Sequence, residues 1–166
     1  GYDELQEGLA VFSEYLVNGL SRSRLRLLAG RVIAAHYLVL GASFIDTFRQ
    51  MTYEHGFTQK AAFTLTARIY RSGGLTKDTI YLRGLIKILE YLKKGGDLEP
   101  LFVGKINSDH IPLIKELQFR NILQTVPLLP EYYIHEETAR RLNRLQAELD
   151  IVESVEGVIN AYWLCS

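Results

Sequence analysis

The feature that most constrains the fold is a helical spacing of apolar residues that recurs along the chain. Its first instance is Leu5, Leu9, Phe12 and Leu16, at i, i+4, i+7 and i+11, which puts four side chains on one face of an α-helix. Comparable segments follow, separated by short turns marked by Gly, Ser or Thr. The pattern predicts an all-α fold of about seven helices, with a loop or a short extended segment near residues 98–106.

Hydroxyl side chains mark the starts of several predicted helices, because a Ser or Thr oxygen can accept a hydrogen bond from a free N–H of the first turn. The predicted N-caps are Ser21 or Ser23, Ser43, Thr58 and Thr76. Another helix is predicted from about residue 109 to 119, with Pro112 tolerated in its first turn. A charged amphipathic helix is predicted over residues 136–149.

The chain length of 166 residues and the apolar content of 48% suit one domain with a core of its own. We assign residues 1–150 to a helical domain. Residues 151–166 form a tail of ambiguous pattern, predicted to be a final helix that packs Trp163 against the same domain.

Charge and cysteine content argue against several classes of partner. Lys and Arg number 19 and so do Asp and Glu, whereas nucleic acid or an anionic membrane as main partner usually requires a basic excess. No apolar run approaches the roughly 18–20 residues needed to span a bilayer. The single cysteine, Cys165, excludes a disulfide framework, and we predict a cytoplasmic location.

The chain begins with Gly1-Tyr2-Asp3 and enters a periodic helix almost at once, without an initiator Met. We therefore expect it to start inside a larger gene product.

Glu7 lies roughly opposite the apolar stripe of the first helix, at about 100° per residue. One interpretation is a solvated carboxylate on an outer face. A second is a carboxylate that meets a partner, because Val11 is on the same side and the small residues Gly8 and Ala10 flank that face. Small residues there would let another helix, or a metal, come close.

The remaining candidates for metal or nucleophile chemistry are weaker. His135-Glu136 begins like a zinc-peptidase helix, but no second His follows one turn later, so His135 is interpreted as a helix-start residue. The isolated histidines are predicted to be packed or exposed rather than ligands: His36, His55 and His110. Cys165 has no base nearby in the sequence that would activate it.

The turn around Gly73-Gly74 collects three cations, namely Arg71, Lys77 and Arg83. Free N–H groups at the following helix start, together with these side chains, could hold a carboxylate. The alternative is an ordinary helix–helix turn with solvated charges, in which Asp78 already satisfies the helix terminus.

Two stretches resemble a known family. The segments ELQEGLA (residues 4–10) and YRSGGLTKDTIYLRG (residues 70–84) are similar to the QEGLA-motif family, with further similar text at residues 41–44, 96–102 and 104–105. That family includes flavohemoglobin expression-modulating proteins and relatives of the microtubule-associated tyrosine carboxypeptidase. The resemblance spans about residues 2–129.

The resemblance implies a zinc metallopeptidase in which an H-E-x-x-x-H helix supplies two His ligands and a catalytic Glu. The Glu of the QEGLA motif is the third zinc ligand, which places that role on Glu7. No H-E-x-x-x-H motif occurs in these 166 residues. In the family this motif lies upstream of the segments that are similar to this chain. We therefore expect zinc in the parent protein, and neither zinc nor activity in this chain alone.

The resemblance also implies a peptide or protein C-terminus as the substrate of the parent. Arg71, Lys77 and Arg83 are then candidates to bind its carboxylate, and Tyr81 to stabilise the oxyanion. A non-enzymatic helical module for interaction or regulation is the alternative. In either case we expect truncation to leave apolar surface and to favour self-association.

Overall fold

The computed structural model describes residues 2–71, 75–124 and 128–147, and this part of the chain contains seven α-helices and no strand. The helices are α1 (Tyr2–Leu16), α2 (Arg22–Val39), α3 (Phe44–Tyr53), α4 (Gln59–Tyr70), α5 (Leu75–Lys93), α6 (Ile111–Phe119) and α7 (Glu136–Ala147). The prediction of an all-α fold with about seven helices is confirmed. The predicted tail helix after residue 150 lies outside the described residues.

Three of the predicted N-caps are confirmed. The side chain of each accepts a hydrogen bond from the backbone N–H three residues ahead, as seen at Ser21, Ser43 and Thr58. The prediction for Thr76 is wrong, because α5 already begins at Leu75. An N-cap residue lies outside the helical backbone, and Thr76 is within the first helical turn.

The segment near residues 98–106 forms a loop rather than a strand. It contains a 3₁₀ turn, Glu99–Phe102, with Pro100 at its start, where the missing N–H of proline costs no hydrogen bond. A second 3₁₀ turn, Ser108–His110, leads into α6. Pro112 occupies the first turn of α6, as predicted.

The larger core cluster lies between α1 and α5 and includes parts of α2 and α6. The apolar stripe of α1 is buried as predicted, with exposures of 1–7% at Leu5, Leu9, Phe12 and Leu16. These side chains pack with α5 residues that are almost fully enclosed, among them Leu82, Leu85 and Ile88. Removing this much apolar surface from water is the main force that holds α1 on α5.

A second core cluster lies between α2, α3 and α4, and includes Met51, Leu65 and Ile69. Helix α2 takes part in both clusters, because Val32 belongs to the first and Ile33 to the second. Helices that are apolar on more than one side are typically internal, and α2 is the element that joins the two clusters.

Two glycines let α1 and α5 cross with their backbones in contact. A Cβ built on Gly8 would lie 2.3 Å from the carbonyl carbon of Gly84, and one built on Gly84 would lie 2.0 Å from the carbonyl oxygen of Glu4. No side chain fits at either position. This crossing brings the polar face of α1, which carries Glu7, against the first turns of α5.

None of the described helices has the length and apolar content required to cross a membrane.

Candidate functional site

Glu7 faces α5, so the interpretation that its carboxylate meets a partner helix is confirmed. The Nζ atom of Lys77 lies 2.9 Å from Oε1 of Glu7, and the Glu7 side chain is 21% exposed. The Tyr81 side chain is near enough to Glu7 for this carboxylate to raise the pKa of Tyr81. Two residues of α5, one turn apart, therefore interact with Glu7.

The surroundings of Glu7 keep both of its partners protonated. Burial raises the pKa of Tyr81, and the interaction with the negatively charged Glu7 raises it further. The same carboxylate raises the pKa of Lys77. An ionised carboxylate offers about four acceptor positions, so Glu7 retains acceptor capacity beyond these two contacts.

Glu7 does not form a metal site with the other described residues. Across residues 2–71, 75–124 and 128–147, no group of three or more His, Cys, Asp or Glu side chains is placed to hold a metal ion. A zinc site needs three or four protein ligands, and Glu7 supplies one oxygen donor. The described residues therefore do not fit a complete zinc site.

Arg83, a predicted substrate-binding cation, lies in an ion pair at the α1–α5 crossing. It pairs with Glu4, and the Nζ of Lys87 lies 2.9 Å from Oε2 of the same carboxylate. Burial opposes ionisation of Glu4, but hydrogen bonds and charges from Lys87 and Arg83 outweigh it, and the pKa of Glu4 is lowered. The structure thus places Arg83 with Glu4 and not with Glu7.

Arg71 is not among the described ion-pair partners of Glu4 or Glu7. It is exposed at the C-terminal end of α4, where its backbone N–H donates to the carbonyl of Ala67 over 3.0 Å. The predicted anion-binding turn at Gly73-Gly74 lies outside the described residues. Of the three predicted cations, only Lys77 is brought to Glu7.

The most buried charge among the described side chains belongs to Asp78. It lies in the first turn of α5, as interpreted from the sequence, but its side chain is fully enclosed. Nε and Nη2 of Arg68 donate to its two oxygens over 2.8–3.0 Å, and Nη1 of Arg31 lies 3.5 Å away. Asp78 therefore links α5 to α2 and α4.

The sequence contained one indication of this buried charge cluster, namely Arg31. This residue interrupts the apolar run from Leu27 to Ala35, and a charged side chain on a buried helix needs a partner of opposite sign. The sequence does not show which residue pairs with Arg31, because Asp78 lies 47 residues further along the chain.

Arg31 connects this buried cluster to Glu7. Its guanidinium carbon lies 5.9 Å from the centre of the Tyr81 ring, within the range of a cation–π contact. One row of side chains thus crosses α1, α5, α2 and α4. Its members, in order, are Glu7, Tyr81, Arg31, Asp78 and Arg68.

The far end of this row opens into a groove of about 450 Å³ between α2 and α4. Leu27, Ala61 and Leu65 form apolar parts of its wall, and its cations are Arg31, Lys60 and Arg68. Burial, and then the like charge of Arg68, lower the pKa of Arg31. The groove therefore combines apolar surface with positive charge that one buried carboxylate balances only in part.

A comparison with known protein families shows to which family this chain belongs. A family model described as microtubule-associated tyrosine carboxypeptidase matches residues 1–150, a range that includes all seven described helices. The comparisons with curated proteins and with solved structures gave no significant match. The family match confirms the resemblance found in the sequence. The chain belongs to the microtubule-associated tyrosine carboxypeptidase family.

Proposed function

We propose that this chain is part of a zinc-dependent, carboxypeptidase-like metallopeptidase, and that Glu7 is one of its metal ligands. Two observations support the proposal: the family match over residues 1–150, and a carboxylate held at a helix crossing by Lys77 and Tyr81. The remaining ligands would be the histidines of an H-E-x-x-x-H helix, supplied by sequence upstream of residue 1. On this proposal the chain by itself is inactive.

The orientation of Glu7 is the observation that carries the proposal. A metal-binding carboxylate is usually fixed by contacts from neighbouring groups, and the ion pair with Lys77 provides such a contact. The raised pKa of Tyr81 keeps its hydroxyl protonated, so it can donate to Glu7 or to a developing oxyanion. Lys77 lies beside Glu7 and supplies positive charge for an anionic substrate.

The substrate class that we propose is the C-terminus of a peptide or protein, with Lys77 as a nearby cation. Arg71 is exposed and open to a similar role, whereas Arg83 would first have to leave Glu4. We further infer a cytoplasmic protein, an inference that rests on the single cysteine.

The proposal is tested on the complete gene product. Zinc content is measured together with release of C-terminal amino acids from peptides, with and without a chelator. Glu7→Gln is expected to lose bound zinc and activity. Glu14→Gln is the matched control, because Glu14 is also on α1 and is also ion-paired, 2.9 Å from Arg24. Full zinc content and activity in Glu7→Gln would remove Glu7 from the metal site.

A non-enzymatic helical module is the second candidate, and one observation favours it. Glu7 already has an ion-pair partner in Lys77, as a purely structural carboxylate would. If the complete gene product contains no zinc and releases no amino acid, this candidate is preferred.

We also propose that the chain self-associates through apolar surface. Three exposed apolar side chains lie at and just beyond α6, where Leu113, Phe119 and Ile122 are 57%, 82% and 68% exposed. Sedimentation of the purified chain tests this proposal, and a strict monomer at high concentration would reject it.

A further inference from the structure

The segment that forms α2, α3 and α4 is basic, although the whole chain has no net charge. Residues 21–71 contain eight Lys and Arg but two Asp and Glu, whereas the rest of the chain contains eleven and seventeen. The three helices share the second core cluster, so the fold keeps this positive excess together. The balanced charge of the whole chain therefore conceals one basic unit.

Some cations of this unit are already neutralised by other helices. Arg24 pairs with Glu14, and Arg31 and Arg68 share Asp78. Other cations on α3, on α4 and just after α4 are exposed and have no ion-pair partner among the residues that the structure describes, namely Arg49, Lys60 and Arg71. These side chains are available to an anionic partner.

Exposed apolar side chains lie at the turn between α2 and α3. Val39, Leu40 and Ile45 are 69%, 65% and 59% exposed and belong to one short segment of the chain. Phe63 of α4 is 54% exposed and extends this surface, because its ring centre lies 5.7 Å from that of Phe44 in the same turn. We call Val39, Leu40, Ile45 and Phe63 the apolar tip.

Two of the available cations flank the apolar tip on the surfaces of α3 and α4. Arg49 follows Ile45 by four residues on α3, and Lys60 precedes Phe63 by three residues on α4. Residues three or four apart are neighbours on a helix surface. Each of these cations therefore lies beside a side chain of the tip.

A third cation is tied to the tip through a hydrogen bond of its neighbour. Arg71 follows Tyr70, whose hydroxyl donates to the carbonyl oxygen of Ala42 in the α2–α3 turn over 2.5 Å. Asp46 is also at this turn, where its carboxylate accepts a hydrogen bond from the hydroxyl of Ser43. The three cations outnumber this carboxylate, so the surroundings of the tip are positively charged.

Apolar side chains among cations match the surface of an anionic bilayer. The apolar groups enter the boundary between head groups and acyl chains, and anionic lipids attract the Lys and Arg side chains. A second copy of this surface would bring like charges together. Single-stranded nucleic acid is bound through rings on which bases stack, whereas Val39, Leu40 and Ile45 are aliphatic.

We propose that the apolar tip, together with Arg49, Lys60 and Arg71, docks this protein on an anionic phospholipid bilayer. The tip enters the head-group region and the three cations contact the lipid phosphates and carboxylates. The binding involves neither Glu7 nor a metal, so it is independent of the proposed peptidase function.

Co-sedimentation of the 166-residue chain with lipid vesicles tests the proposal. One set of vesicles is phosphatidylcholine alone, and in the other about a third of the lipid is phosphatidylserine. We expect the chain to sediment with the anionic vesicles and to be released by high salt, because salt screens the attraction. Equal binding to both sets of vesicles, or binding to neither, would overturn the proposal.

Two exposed positions locate the docking surface, each with a control of the same chemistry. Leu40→Ser is expected to weaken vesicle binding about tenfold, whereas Val17→Ser, 55% exposed at the end of α1, leaves it unchanged. Arg49→Gln is expected to weaken it about fivefold, and Lys94→Gln, an exposed lysine beyond α5, is its control. If neither tip variant binds more weakly than its control, this surface does not dock on the bilayer.

Other partners are tested with the same variants. The chain is mixed with a single-stranded oligonucleotide or with polyglutamate, and its own association is followed by sedimentation without vesicles. Binding of either polyanion without binding of vesicles would overturn the membrane proposal. Self-association that Leu40→Ser abolishes, without vesicle binding, would overturn it in favour of a second copy of the chain.

Discussion

At the scale of single residues, the end of α1 is decided by an asparagine in a left-handed conformation. Asn18 has φ of 62°, and the helix ends two residues earlier at Leu16. Asn tolerates this backbone better than most residues, because its short polar side chain can hydrogen-bond locally.

We predict that Asn18→Ala lowers the free energy of unfolding by about 1 kcal/mol, because alanine is strained at positive φ. The same substitution at Asn143, an exposed position inside α7, should raise the free energy of unfolding, because alanine is the better helix former. Thermal unfolding distinguishes the two, with an expected decrease in Tm of about 2–4 °C for Asn18→Ala. A decrease of the same size in both variants would contradict this explanation.

At the scale of elements, the contact between α1 and α5 depends on Gly8 and Gly84. The sequence indicated that small residues near Glu7 would allow a close approach, and Gly8 does so. Ala10 is exposed and plays no part in the contact. The role of Gly84 could not be recognised in advance, because the residues that it contacts, Glu4 and Gly8, belong to a distant part of the sequence.

We predict that Gly84→Ala destabilises the fold by about 3 kcal/mol or more, because its Cβ meets backbone atoms that cannot move aside. Gly30→Ala on α2 is the matched comparison. A Cβ at Gly30 meets the ends of the Leu65 and Phe57 side chains at 2.8 Å, which can shift, and alanine improves helix propensity.

Urea unfolding of both glycine variants measures the difference. The expected order is wild type, then Gly30→Ala, then Gly84→Ala as the least stable. If Gly84→Ala is as stable as Gly30→Ala, the helices are not in backbone contact at this crossing.

At the scale of the whole molecule, α2 joins two core clusters that would otherwise be separate. Because one helix contributes to both, we predict that the two core clusters unfold as one cooperative unit. Met51→Ala in one cluster and Leu85→Ala in the other, both at fully buried positions, should each lower the free energy of unfolding by about 2–5 kcal/mol.

Hydrogen exchange followed by NMR tests this cooperativity. Either substitution is expected to speed up exchange of the slowest amides in both clusters, whereas Leu40→Ala, at a position 65% exposed, should change stability by less than about 0.5 kcal/mol. Faster exchange confined to the substituted cluster would show that α2 does not couple them.

The sequence by itself determined the features that depend on neighbours within a few turns of the chain. The apolar stripe of α1, the caps at Ser21, Ser43 and Thr58, and the all-α class all follow from local spacing and local hydrogen bonds. The family motif and the face on which Glu7 lies were also visible. These properties are set by residues three or four apart, which the sequence displays directly.

Only the tertiary structure decided which charges meet. Arg83 pairs with Glu4 at a separation of 79 residues, and Asp78 joins Arg31 across 47. Such partners depend on how the helices pack, and helix periodicity sets which face is buried without naming the neighbour. For that reason the sequence pointed to Glu7 but missed the row that leads through Tyr81 and Arg31 to the groove.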